Sequence, residues 1–112
     1  MKDPDDISLN ALQQTVDRWI SSTDAGYFSP LTNMAVLAEE VGEVARIMAR
    51  RYGDQRPKAT DDVSDRALAD ELADILWVTA AVANQTGVNL TEALARNLAK
   101  KSARDRDRFR NS

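Results

Sequence analysis

Residues 70–83 read DELADILWVTAAVA. From Leu72 to Ala83 this run is apolar on nearly every side of a helix, and a helix of that kind is a buried one. Two carboxylates stand at its head. With about 100° of turn per residue, Asp74 lies about 60° from Glu71, on the face shared by Ala67, Ile75, Val78 and Val82. Both acids are therefore expected near the interior. A second acidic group sits in residues 37–46, LAEEVGEVAR. Taking Glu39 as zero, Glu43 falls at about 40° and Glu40 at about 100°, so all three occupy one quarter of a helix. Met34, Leu37, Val41, Val44 and Met48 form the main apolar face opposite, while Val36 and Ile47 project among the glutamates.

The ordinary meaning of glutamates at i, i+3 and i+4 is a solvated face with cations one turn on. Here Glu39 is followed at i+4 by Glu43, a like-charge pair, and Glu71 by Ile75. Buried like charges need a compensating cation. An i, i+3 spacing sets two carboxylates over neighbouring turns of one face. Glu40/Glu43 and Glu71/Asp74 on antiparallel helices would then converge into an all-oxygen cage, suited to Mg²⁺ or Mn²⁺. Carboxylate-held Mg²⁺ typically takes phosphate oxygens among its remaining ligands, which points to a phosphorylated substrate.

The rest of the chain is read around these two helices. Apolar positions Leu9, Leu12, Val16, Trp19 and Ile20 predict a first helix over about 7–22. Ser29-Pro30 reads as an N-cap with proline in the first turn, opening a helix that stops at Gly53. The buried helix begins near Ser64 or Asp65 and is closed by Gly87. Asn89 with Glu92 resembles a capping box and opens a fourth helix reaching about Phe109. There is no strand pattern and no repeat. The fold class expected is all-α, a four-helix bundle in one domain over 1–112, with residues 1–6 and 110–112 frayed. Three short helices of one chain cannot cover the third helix all round, so the bundle is expected to be completed as a homodimer or homotetramer.

Composition narrows the chemistry. The 112 residues carry 43% hydrophobic and 29% charged side chains, a net charge of −3, no cysteine and no histidine. Disulfides, zinc sites and histidine acid–base catalysis are excluded. A broadly basic nucleic-acid-coating surface is excluded too, though a local basic patch is not. Without a secretory apolar region or an 18-residue apolar run, a cytoplasmic protein with no membrane partner is expected. The basic patch lies on the fourth helix: Lys100, Lys101, Arg104 and Arg108 all fall within about 60° of Asn97. Its bland reading is a solvated helix end whose cations suit the dipole. Its functional reading is a clamp for phosphates.

Glu39-Glu40-x-x-Glu43, a 27-residue gap (44–70) and Glu71-x-x-Asp74 resemble the EExxE…ExxD signature of the MazG-like all-α nucleoside triphosphate pyrophosphohydrolases. SPLTNMAVLAEEVGEVAR, RRYGD, DELADILWVTAAVANQTGVNLTEAL and the tail KKSARDRDR are similar to short single-domain members, from about Val16 to Arg108. The resemblance implies Mg²⁺-dependent cleavage of a nucleoside triphosphate between its α and β phosphates, giving a monophosphate and pyrophosphate in nucleotide-pool housekeeping. It implies metal ligation by Glu40, Glu43, Glu71 and Asp74, with Glu39 beside them orienting or deprotonating the attacking water. It implies substrate contacts from Asn97 and Lys100, an Asn-x-x-Lys pair, and the clamp reading extends these to Lys101 and Arg104. The chain departs from the pattern at Lys101, where an aromatic is usual, and at Val78, where some relatives carry Tyr. Trp19, Phe28 and Trp77 can stack on a base or fill the core; the core role is the expectation. Two other readings share the same residues. One is a non-catalytic Mg²⁺-binding helical regulator or assembly module, and the other an all-α diphosphatase acting on another pyrophosphate-containing nucleotide.

Overall fold

The computed structural model describes residues 6–109, in which four helices follow in order: α1 (Leu9–Ser21), α2 (Pro30–Tyr52), α3 (Asp65–Thr86) and α4 (Leu90–Phe109). The fraying expected of residues 1–5 and 110–112 lies outside the described residues. Each helix begins where its cap chemistry dictates. Ser8, Ser29 and Ser64 accept from Ala11, Thr32 and Ala67 N–H groups, and Pro30 occupies the first turn of α2. Asn89 Oδ1 accepts from the Glu92 N–H at 3.0 Å and so caps α4. These side chains satisfy donors that no preceding turn can reach.

The two glycine stops work differently. Gly87 sits at φ +74°, a left-handed turn in which its own N–H and that of Val88 both return to Ala83 O, the geometry that glycine adopts without a Cβ penalty. Gly53 is extended, with φ −99°, and a Cβ there would stand 2.5 Å from Ala49 O. Its glycine is required by close approach rather than by handedness.

α3 is the central helix and packs against both α2 and α1, while α4 leans on α1. The core joins Val16 of α1 to Ala80 and Ala81 of α3, with Leu12, Ile20, Tyr27, Trp77 and Leu90 around them. The alanines let α1 and α3 approach closely. A polar clasp fixes their register: Asn84 Nδ2 donates to Gln13 O and Tyr27 Oη, and Tyr27 donates to Asp17 at 2.8 Å. Gln13 also holds the start of α4, donating to Val88 O and accepting from the Leu90 N–H at 2.9 Å.

Two expectations about burial are corrected within the single chain. α3 is not covered all round, because Leu76 is 58% and Leu72 is 47% exposed. On α2 the face that meets α3 carries Asn33, Val36, Glu40 and Ile47, whereas Met34, Val41 and Met48 of the expected apolar face are nearly half exposed. Helical period reveals two stripes on α2 but not which of them a neighbour in the same chain covers. The radius of gyration is 17.8 Å, against about 13 Å for a compact domain of this length. The single chain is an open arrangement.

Candidate metal centre

The acid-bearing face of α2 and the head of α3 meet where the two helices cross. Glu40, Glu71 and Asp74 each bring a carboxylate oxygen within 4.8 Å of the others. Glu40 and Glu71 are half-buried and Asp74 is exposed, so the group opens to solvent on one side. Glu71 Oε2 is buried and has no hydrogen-bond partner among the described residues. A buried carboxylate oxygen without a donor is costly. A hard divalent cation satisfies it with the oxygen chemistry this group offers, so the donor set fits Mg²⁺ or Mn²⁺.

The crowding shows in the electrostatics. A proton shared with Glu71 pushes the Glu40 carboxyl up to about 7, helped by burial and by the charges of Glu71, Asp74 and Glu43. The folded value lies above the ordinary 4.5. Stability from this group is therefore fully present below the ordinary value and lost as pH rises through about 7. In chelator, the melting temperature is expected to fall between about pH 5 and 8. Glu40→Gln should flatten that fall, and saturating Mg²⁺ should oppose it. A melting temperature independent of pH over this range in chelator would contradict the crowding.

The structure does not bring every expected residue into the group. Glu43 turns aside: its Oε2 lies 2.8 Å from Arg46 Nη2, and Arg46 also reaches Asp61 at 3.1 Å. Asp61 is held as well by Arg50 at 3.0 Å, so these arginines pin the α2–α3 loop to α2. The Asp61 carboxyl lies below its ordinary range, chiefly through the Lys58 N–H that it accepts. Glu43 and Glu71 nevertheless line one hollow with Asp61, Asp62 and Asp70. Glu39 is exposed and outside the three-carboxylate group. On α4, Asn97 and Lys100 line a separate groove with Asn89, Glu92 and Arg96. Lys101 and Arg104 are exposed, Arg104 facing Asp105 at 3.5 Å. No α4 residue lines the hollow of Glu43 and Glu71.

Arg46 is the partner that the i+4 rule missed. It stands three residues after Glu43, the other spacing at which helical side chains meet. A buried amide, Asn33, also escaped notice, because one Asn inside an apolar helical run carries no signal of its own.

Comparison with known proteins agrees with this arrangement. The MazG nucleotide pyrophosphohydrolase domain matches residues 28–109. "Uncharacterized protein YpjD" of Bacillus subtilis (strain 168) is 42% identical over 104 residues, 93% of this chain and 92% of that protein. The crystal structure of B. subtilis YpjD superposes with a TM-score of 0.75 at 41% identity, over 87% of this chain and 97% of that one. The Bacillus-conserved MazG protein, a nucleotide pyrophosphohydrolase, superposes at 0.71 with 32% identity, over 88% and 92% of the two chains. The match spans both acidic helices and the basic one. With four helices, no strand among the described residues and carboxylates converging between α2 and α3, the chain belongs to the MazG family of all-α nucleotide pyrophosphohydrolases, hydrolases that act on pyrophosphate bonds.

Proposed function

We propose that the protein is a Mg²⁺-dependent nucleoside triphosphate pyrophosphohydrolase, with Mn²⁺ an effective substitute. It cleaves the α–β phosphate bond of an NTP or dNTP to a monophosphate and pyrophosphate, and so removes unwanted nucleotides from the cytoplasmic pool. The observation that carries this reading is the triad of Glu40, Glu71 and Asp74, together with the buried, unpartnered Oε2 of Glu71. A bound Mg²⁺ supplies charge screening at the phosphoryl oxygens and a lowered pKa for water.

The side chains do the rest. Glu40, Glu71 and Asp74 provide fixed oxygen donors, and Glu43 joins them by turning from Arg46. Glu39, outside the donor set and exposed, orients the attacking water or takes its proton. Asn97, Lys100, Lys101 and Arg104 hold the triphosphate. In one chain they stand on a helix that leans on α1 rather than on the acids, so a second protomer brings them to the site.

The test is pyrophosphate release from a panel of nucleotides, with Mg²⁺, Mn²⁺ or chelator. Release should require the divalent ion. Lys100→Ala and Arg104→Ala should each lower kcat/KM by roughly ten- to a hundredfold, the range of a lost charged hydrogen bond, with Mg²⁺ binding retained. Unchanged kcat/KM in both variants would return the basic stripe to a solvated helix end. The absence of release from any nucleotide would sink the proposed activity.

A further inference from the structure

The hollow beside the carboxylate group is lined by Glu43, Asp61, Asp62, Asp70 and Glu71, and among the described residues Arg46 is the one cation in its wall. We infer that Arg46 is a positioning residue for the metal centre. It holds Glu43 out of the empty donor set, and Glu43 exchanges the guanidinium for the ion when the centre fills. Arg46 thereby lowers the affinity for the free ion although it is not a ligand. This rests on the metal reading above and extends it to a residue outside the donor set.

Arg46 engages two carboxylates through different nitrogens. Nη2 lies 2.8 Å from Glu43 Oε2, and Nη1 lies 3.1 Å from Asp61 Oδ1. The two ends of this bridge are unequal. The Asp61 side chain is only 10% exposed, and its second oxygen lies 3.0 Å from Arg50 Nε. That same oxygen accepts the Lys58 N–H at 2.8 Å, and the Asp61 N–H returns to Lys58 O at 2.9 Å. Both oxygens are occupied and the backbone is tied into a turn, so Asp61 is a fixed anchor.

Glu43 is the loose end. Its side chain is 47% exposed, and Arg46 is its one partner among the described residues. An exposed ion pair of this kind amounts to at most about a fivefold factor in an equilibrium. A divalent cation offers Glu43 twice the charge. Glu43 stands one helical turn, about 4.5 Å of rise, from Glu40, and it shares the hollow with Glu71. Rotation about its own side-chain bonds therefore carries its carboxylate from Arg46 toward the acid group. Arg46 keeps Asp61 after the exchange, so no guanidinium is left without a counter-charge.

Mn²⁺ alone is the probe, its free fraction read by electron paramagnetic resonance with no nucleotide present. Arg46→Gln is expected to bind Mn²⁺ about two- to fivefold more tightly than the unmodified chain. Arg46→Met, another uncharged variant, should do the same. Misfolding does not tighten ion binding, so this direction is informative in itself. Removing any nearby cation also raises affinity through its field alone, and a double-mutant cycle separates the two causes. With Glu43→Gln in place the exchange no longer exists, and Arg46→Gln should then leave Mn²⁺ affinity unchanged. Unchanged or weaker binding in both Arg46 variants overturns the proposal. So does a tightening of equal size with and without Glu43→Gln. Glu43-dependent tightening in a protein that cleaves no nucleotide would defeat only the proposed activity. Pyrophosphate release with Mn²⁺ affinity indifferent to Arg46 would defeat the role of Arg46 alone.

Discussion

Asp74→Asn is expected to lower pyrophosphate release by about a thousandfold or more while the protein stays folded. The three carboxylates that meet between α2 and α3 are anionic donors within 4.8 Å of one another. An amide at one of them removes a charge and leaves a weaker ligand beside an NH₂ group. Transition-state stabilisation by a divalent ion amounts to several kcal/mol, and each 1.36 kcal/mol is a factor of ten in rate. Glu43→Gln should cause a loss of the same order if Glu43 turns to the donor set during catalysis. The stability effect runs the other way. In chelator the acids repel one another, so deleting one charge should raise the melting temperature. Activity and melting temperature measured on the same preparations separate a ligand from a structural residue. Near-normal turnover in Asp74→Asn would remove the metal assignment.

The second large effect concerns assembly. The 12.4 kDa chain should sediment at micromolar concentration with at least twice that mass, as a homodimer or homotetramer. Leu31 is 80% exposed, and Met34, Val41, Leu72, Leu76 and Leu98 also remain exposed. Fully burying one such side chain stabilises by about 1.5–3 kcal/mol, so covering several at a two-fold interface drives tight association. Leu76→Glu should place a charge in that interface and convert the protein to monomer. Activity should fall with it, because the α4 cations would no longer reach the acids. A folded, active monomer of the unmodified chain would refute both the shared interface and the shared site.

The helix ends were legible because caps act locally. Ser29-Pro30, Ser64 and Gly87 each announce a boundary through a few neighbouring atoms. The pairing of Glu71 with Asp74 was legible for the same reason, as both lie on one turn of one helix. The orientation of Glu43 was not, because it is decided by competition between Arg46 and the acid group, and Arg46 is in turn engaged by Asp61 from the loop. Nor was the face of α2 that meets α3. Two apolar stripes of similar strength wait for different neighbours, one in the same chain and one unpartnered in it, and periodicity weighs them equally. An aromatic cavity between α1, α2 and α3 stayed hidden because Trp19, Phe28 and Trp77 were all expected in the core; Trp77 does pack against the core, whereas Trp19 and Phe28 are 59% and 58% exposed in the single chain.

Arg46 stands between two anions, Glu43 on its own helix and Asp61 on the loop, and this makes two events reciprocal. If Glu43 swings to the carboxylate group when an ion binds, the guanidinium loses one of its two counter-charges and its hold on Asp61 changes. Thermodynamic linkage requires the converse by the same factor. Cutting or lengthening the loop at 54–60, or neutralising Asp61, would then shift ion affinity without touching a ligand. The segment that looks like a mere connector would act as a ballast weight, setting how readily the site fills.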